Sequence, residues 1–305
     1  MKKHFKFFIF LLFIVQVPSL TYAQKKHKLT LKLTPNTSYV IQQQISQYIE
    51  QEFQGQRQNS SITYQYNIKE IDEEGFYKIV VVYKKIHYKQ GKSTYNSEDT
   101  TATETALSRA LGAMIDSRIT MQVNNQGQVR ELIGADELIE KMLNAKAVAN
   151  KATRERLHKT FKKAFGEAAL RESMDQFFNI YPNKKIAVGD SWSKKFEKTA
   201  SFPSKVNMTW TLDKVEENTG LINIKATVRP TPNTIVDLGI VTAKYDLNGT
   251  QEGSMDIDIE TGWTQRYYIK QVMSGTMYMT MNNGSQEIAV DTKITTTSKY
   301  ITLKN

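Results

Sequence analysis

Apolar residues recur along this chain at two different periods, and the order of those periods limits what it can fold into. From about Leu29 to Tyr95 the period is two: Leu29, Leu31 and Leu33 alternate with polar residues, and Tyr77 to Tyr88 is rich in β-branched and aromatic side chains. Successive side chains of a strand point to opposite faces, so this stretch predicts strands. Glu73-Glu74-Gly75 supplies a turn between Tyr66-Asn67-Ile68 and the second run, which predicts a hairpin. From Val206 to Leu303 the period of two returns. Met255, Ile257 and Ile259 alternate with Asp256, Asp258 and Glu260, Met277, Met279 and Met281 share one face, and Asn282-Asn283-Gly284 is a hairpin signal.

Between these stretches the period becomes helical. Thr101 to Glu104 has capping-box spacing, and Ala106, Leu107, Ala110, Leu111, Met114 and Ile115 then form one apolar face. A strand from Ile119 to Val123 and a turn at Asn124-Asn125-Gln126-Gly127 follow. Three further stripes lie beyond: Leu138, Ile139, Met142, Leu143; Leu157, Phe161, Ala164, Phe165; and Leu170, Met174, Phe177, Phe178. Gly166 is placed to end the second of these helices and Pro182 the third.

The expected class is therefore α+β, mainly antiparallel β, with two curled-sheet halves and a helical segment between them. The predicted boundaries are 24–134 for a β-rich half with one short helix, 135–182 for a basic amphipathic helical segment, and 183–305 for a second β-rich half. Three short matches occur in the same order in both halves. Thr37-Ser-Tyr39 resembles Asp190-Ser-Trp192, Tyr66-x-Ile68 before Gly75 resembles Trp210-x-Leu212 before Gly220, and Met121-x-Val123 before Gly127 resembles Met255-x-Ile257 before Gly262. That order points to duplication.

Residues 1–23 have a basic start (Lys2, Lys3, Lys6), an apolar run from Phe7 to Val15 and a Thr21-Tyr22-Ala23 ending, the pattern of a secretory signal peptide cleaved after Ala23. The run is too short to span a bilayer, and no later segment comes closer. The chain has no cysteine. That excludes disulfides, thiolate metal sites, cysteine nucleophiles and a lipidated cysteine, so the expected product is soluble, periplasmic or extracellular, and not a lipoprotein.

Charge is concentrated in one place. Beyond the signal, 38 basic residues face 31 acidic ones, a net of +7. The stretch from Lys141 to Arg171 alone holds nine basic residues against Glu155 and Glu167, which accounts for the whole excess. Lys151, Arg154, Arg156, Lys159, Lys162 and Lys163 are the candidates there for contact with an anionic envelope surface or an acidic protein, the other reading being a solvated helix face. Nucleic acid is not an expected partner of an exported chain.

The sequence displays no catalytic constellation. Gly189-Asp190-Ser191-Trp192-Ser193 lacks the second glycine of a nucleophile elbow and reads as a strand-entry turn. Beyond the signal the histidines are His27, His87 and His158, scattered over a chain start, a strand end and a basic helix. The Asp256, Asp258, Glu260 face lacks the loop and glycine of a calcium site. Neither a metal nor a cofactor is expected.

The Gly189-Asp190-Ser191-Trp192 turn, placed after a helical segment that ends near Tyr181-Pro182, resembles an exported bacterial family, domain of unknown function 6263. The strand before the Gly127 turn and the Thr261-Gly262 turn belong to the same likeness. The resemblance extends over nearly all of the chain after the signal. It implies export and a bacterial envelope setting, and brings no activity or functional residues with it.

The leading expectation is a non-enzymatic binding protein for a hydrophobic or amphipathic, lipid-like molecule. Met277, Met279 and Met281 would supply an adaptable apolar surface, and Trp210 and Trp263 aromatic contacts. The alternative is a structural or protein-interaction module of the envelope with no small-molecule ligand.

Overall fold

The computed structural model describes residues 25–52, 54–99, 105–145, 151–200, 202–232, 234–237, 241–281 and 286–303. The export signal, the Thr101–Glu104 box, the Asn282-Asn283-Gly284 turn and the side chain of Met281 lie outside the described residues.

The strands are β1 (Ser38–Gln51), β2 (Gln54–Ile71), β3 (Tyr77–Gln90), β4 (Ser93–Asn96), β5 (Arg118–Val123), β6 (Val129–Ile133), β7 (Ser191–Lys198), β8 (Ser204–Glu216), β9 (Thr219–Pro230), β10 (Ile235–Asp237), β11 (Val241–Asp258), β12 (Thr264–Met281) and β13 (Glu287–Leu303). Helix α1 (Ala106–Gly112) lies between β4 and β5. Helices α2 (Ala135–Ala145), α3 (Lys151–Phe165) and α4 (Glu167–Phe178) lie between β6 and β7.

All thirteen strands of the described residues belong to one antiparallel sheet, ordered β6-β5-β3-β2-β1-β13-β12-β11-β9-β8-β7, with β4 on β3 and β10 on β11. The two strand-rich stretches thus form a single sheet, joined where β1 pairs with β13, Gln43 opposite Tyr300 and Gln47 opposite Thr296. Across it, β1, β2, β3, β5 and β6 follow one another as β7, β8, β9, β11 and β12 do. Register shifts also correspond: Ile68/Glu70 between β2 and β3 with Leu212/Lys214 between β8 and β9, and Gln122/Val123 between β5 and β6 with Asp256/Ile257 between β11 and β12. The shift at Thr63/Tyr64 in β2 and β3 has no counterpart in β8 and β9.

Helix α4 shows how far the sheet curves. Laid flat, its eleven-strand path would be about 48 Å wide at the usual strand spacing, whereas a helix of twelve residues is about 18 Å long. Yet α4 touches both edge strands, β6 and β7. On the β6 side, the Arg171 guanidinium donates to the carbonyls of Val129 (3.0 Å) and Arg130 (3.2 Å), and the Asp175 carboxylate accepts the Val129 N–H. On the β7 side, the Glu172 carboxylate accepts from Thr199 N (2.6 Å) and Ala200 N (3.1 Å), Asn179 Oδ1 accepts from Lys194 Nζ (2.6 Å), and the Ile180 carbonyl accepts from Trp192 Nε1 (2.6 Å). On β6, backbone groups that would otherwise be open to another strand are thereby occupied.

Two expectations about local structure are corrected. Leu29 to Leu33 is not a strand. It is an extended segment that crosses the end of the curved sheet, with Leu29, Thr30, Leu31 and Leu33 all buried. Leu31 N donates to Asn125 O (2.8 Å) and Lys32 N to Thr261 O (2.7 Å), so turns from the two halves are tied to it and no ladder forms. The α1 cap is Thr105 rather than Thr101: its hydroxyl accepts from Ser108 N, and the Ser108 hydroxyl accepts from Thr105 N.

The three apolar stripes behave differently. Leu138, Ile139, Met142 and Leu143 of α2 are buried, as are Leu170 and Phe178 of α4, while α3 has no buried residue. Beneath α4 the core is aromatic: Trp263 stacks on Tyr39 with ring centroids 4.0 Å apart, and Tyr66, Phe177 and Phe178 surround it.

Candidate functional site

A cavity of about 240 Å³ lies between α4 and the concave face of the sheet. One of its walls is a polar row running across four strands at a single level: Gln47 of β1 opposite Thr296 of β13, Thr296 opposite Gln271 of β12, and Gln271 opposite Gln251 of β11. Gln47 Nε2 donates to Thr296 Oγ1 (3.2 Å) and Gln251 Nε2 to Gln271 Oε1. From α4, Ser173, Gln176 and Phe177 close the other side, and Lys198 at the end of β7 completes the wall. Among these groups Gln176 Nε2 and Gln251 Oε1 are buried without a hydrogen-bond partner. A buried amide left unpaired carries a desolvation cost of about 1–3 kcal/mol, which a bound polar group would relieve.

Tyrosines form the floor. Gln43 Nε2 donates to the Tyr300 hydroxyl (2.7 Å), and the Tyr64 hydroxyl donates to Gln43 Oε1 (3.0 Å). Burial pushes the Tyr300 phenol up to about 12, and holds those of Tyr64, Tyr66, Tyr83 and Tyr267 well above the ordinary value. Burial also lowers the pKa of Lys194 and Lys198 and raises that of Asp175. The nearby Asp175 carboxylate opposes the shift of Lys194, and that of Glu172 opposes the shift of Lys198.

In the opposite direction, away from the floor, the same sheet face becomes apolar. Ile49 lies opposite Ile294 and Ile294 opposite Met273. Further along, Val290, Met277 and Tyr245 form one level, and Ile288, Met279 and Ala243 the next. The face thus passes from tyrosine through glutamine to aliphatic and methionine side chains.

The structure separates the residues singled out from the sequence. Met277 and Met279 share the concave face and are half-buried. Trp210 is fully buried and stacks on Trp192, and Trp263 lies in the aromatic core, so neither lines the cavity. Arg156, Lys159, Lys162 and Lys163 line a second, open cleft of about 770 Å³ between α3, the end of β7 and β10, together with Glu155 and Asp237. Lys163 donates to the Asp237 carbonyl, Arg154 is turned toward Glu140 and Asn144 of α2, and Lys151 is exposed at the start of α3.

The expected acidic face on β11 does not form. Asp256 is buried and paired with Arg266 across a bulge, while Asp258, the last residue of β11, accepts from Thr261 N (2.7 Å) to close the following turn. Among the described residues there is no group of three or more His, Cys, Asp or Glu arranged to hold a metal ion. Gly189 to Trp192 is a strand-entry turn, with Gly189 at φ +89° and Ser191 Oγ bonded to Thr211 Oγ1 at 2.8 Å.

The cavity residues that the sequence reading missed include Gln47, Gln176, Gln251, Gln271, Thr296 and Lys198. One signal for them was present. Along the inner face of β1 apolar and amide residues themselves alternate, as Ile41, Gln43, Ile45, Gln47, Ile49 and Gln51.

The family of unknown function DUF6263 matches residues 74–264. No curated protein matches the sequence. Two solved structures are distantly similar. A DUF1329 family protein from Desulfovibrio piger ATCC 29098 shows 7% identity over 87% of this chain and 85% of its own, with a TM-score of 0.16. OccK2 (OpdF) of Pseudomonas aeruginosa, solved in complex with glucuronate, shows 7% identity over 91% of this chain and 99% of its own, with a TM-score of 0.18. At these scores neither bears on fold or function. No helix among the described residues is long and apolar enough to cross a membrane.

Proposed function

This chain belongs to the DUF6263 family, and we propose that it is an exported, non-enzymatic binding protein for an amphipathic, lipid-like molecule in the bacterial envelope. The observation that carries this reading is the graded concave face, on which the amide row lining the cavity under α4 is followed, along the same strands, by the Met273, Met277 and Met279 levels. A polar head would sit in the glutamine row and an apolar chain along the methionines, whose thioethers adapt to irregular shapes. Among the described residues the cavity wall offers amides, hydroxyls and one amine but no carboxylate or imidazole, which favours binding over acid–base chemistry. Export rests on the signal pattern of residues 1–23.

The same proposal includes an origin by duplication of a curled-sheet unit. Support comes from the repeated strand order and from two corresponding bulges, since a bulge is a specific local feature retained within families.

Native mass spectrometry of protein purified from its own envelope without detergent tests the binding reading. A stoichiometric adduct that survives desalting and extracts as an amphiphile is the expected result. A bare mass, together with no uptake of added dodecyl amphiphiles, would overturn it. A second reading is favoured by the cleft lined by Arg156, Lys159, Lys162 and Lys163: the α3 face also contacts an anionic envelope surface. It predicts binding to anionic vesicles that weakens with salt and on neutralising those four residues.

A further inference from the structure

The cavity wall includes one residue with a formal charge, Lys198. It points inward from β7, in register with the buried Ser204 of β8. The nearest carboxylate, that of Glu172, lies near enough to act on Lys198 through space but makes its hydrogen bonds to other groups, accepting through Oε1 from Thr199 N, Thr199 Oγ1 (2.8 Å) and Ala200 N. Lys194, the other inward lysine of β7, is held by Asn179, whereas Lys198 makes no ion pair or hydrogen bond among the described residues. Close by on the wall, Gln176 Nε2 is a buried donor with no acceptor. A half-buried ammonium with no hydrogen-bond partner among the described residues, on the same wall as an unmatched amide donor, is complementary to a group with one negative charge and two acceptor oxygens.

Building on the binding reading above, we infer that the headgroup recognised in this cavity is a carboxylate, with Lys198 as its counter-ion and Gln176 as its second donor. Burial already disfavours the ammonium form of Lys198, and a bound carboxylate reverses that penalty. The carboxylate would come either from a free fatty acid or from an acylated amino acid. In the latter, the amide N–H supplies a donor for the orphaned Gln251 Oε1.

Calorimetric titration of the full mature chain with laurate, N-lauroylglycine and glyceryl monolaurate, all below their micellar concentrations, tests this. Both carboxylates are expected to bind about 10- to 100-fold more tightly than the uncharged ester, the ratio expected for one charge-assisted hydrogen-bonded pair. Lys198→Gln should erase that ratio, and Lys198→Arg should keep most of it, with thermal melts confirming that both variants fold. Tighter binding of N-lauroylglycine than of laurate identifies the acylated amino acid as the source, and the reverse identifies the fatty acid. Equal binding of ester and carboxylates, or a ratio unchanged in Lys198→Gln, overturns the headgroup assignment while leaving the binding reading standing. No binding of any of the three overturns the binding reading itself.

Discussion

Arg171 and Glu172 are neighbours in sequence and hold opposite edges of the sheet. Arg171 donates to the β6 backbone at Val129 and Arg130, and Glu172 accepts from the backbone just beyond β7 at Thr199 and Ala200. Adjacent helical residues point about 100° apart, so one turn of α4 reaches both edges. Replacing either residue by Ala should cost about 1–2 kcal/mol, the usual range for charged groups bonded to backbone, reduced for partial exposure. Urea unfolding measures it. Changes below about 0.5 kcal/mol in both variants would show that α4 does not hold the edges.

Two glycine turns should respond very differently from two others with similar backbone angles. A Cβ at Gly127 would fall 1.7 Å from the Phe178 carbonyl oxygen, and one at Gly262 2.3 Å from that of Thr30, both at positive φ. At Gly75 and Gly189 a Cβ would meet nothing within 4 Å. Ala at the latter pair should cost about 1 kcal/mol of conformational strain. At Gly127 or Gly262 it should cost well over 2 kcal/mol or prevent folding, as thermal melts of the four variants would reveal.

The buried tyrosines make stability depend on alkaline pH. Tyr64, Tyr66, Tyr83, Tyr181, Tyr267 and Tyr300 all have phenols raised by burial, Tyr300 to about 12. A phenol raised by folding leaves stability unchanged while both states are neutral, and favours the unfolded state once that state ionises and the folded one does not. The neutral-pH stability is therefore kept up to about the ordinary value of 10.0 and falls as pH rises from there toward the folded value. Phenolate absorbance should show one reversible phase from the remaining tyrosines and a second that coincides with loss of circular dichroism. A single smooth titration of all the tyrosines with the fold intact would contradict this.

Met277 and Met279 are half-buried on the concave face, so changing both to Ser removes apolar contact area from the proposed ligand chain more than from the core. Affinity for a dodecyl amphiphile should drop about tenfold or more, while stability changes by under about 2 kcal/mol. Calorimetric titration alongside thermal melts separates the two. Unchanged affinity would place the chain elsewhere.

Periodicity was informative wherever a segment contacts its own neighbours. The β2–β3 hairpin and the buried stripe of α2 follow from local patterns, with Asp72 Oδ1 accepting from Glu74 N and Phe76 N to close the predicted turn. Leu29 to Leu33 alternates like a strand, but alternation cannot distinguish a ladder from an extended segment buried at a sheet end. The single continuous sheet was hidden for a related reason, because period two identifies a strand without naming its partner, and β1 meets β13 across most of the chain. The glutamine row draws one side chain from each of several strands, so no window of sequence contains it. Trp210 was read as a ligand contact from its chemistry, whereas its stacking on Trp192 is set by the β7–β8 register.

The pairing of β1 with β13 also dictates an order of assembly. A chain that emerges amino end first carries β1 with one flank empty until residues 287–303 arrive, and Leu31 waits likewise for Asn125 while Lys32 waits for Thr261. Closing loops of that length is slow, and an unfilled strand flank is a template for any passing chain. The interval before residues 287–303 are delivered is therefore the one in which the vacant flank of the first strand is open to mispairing.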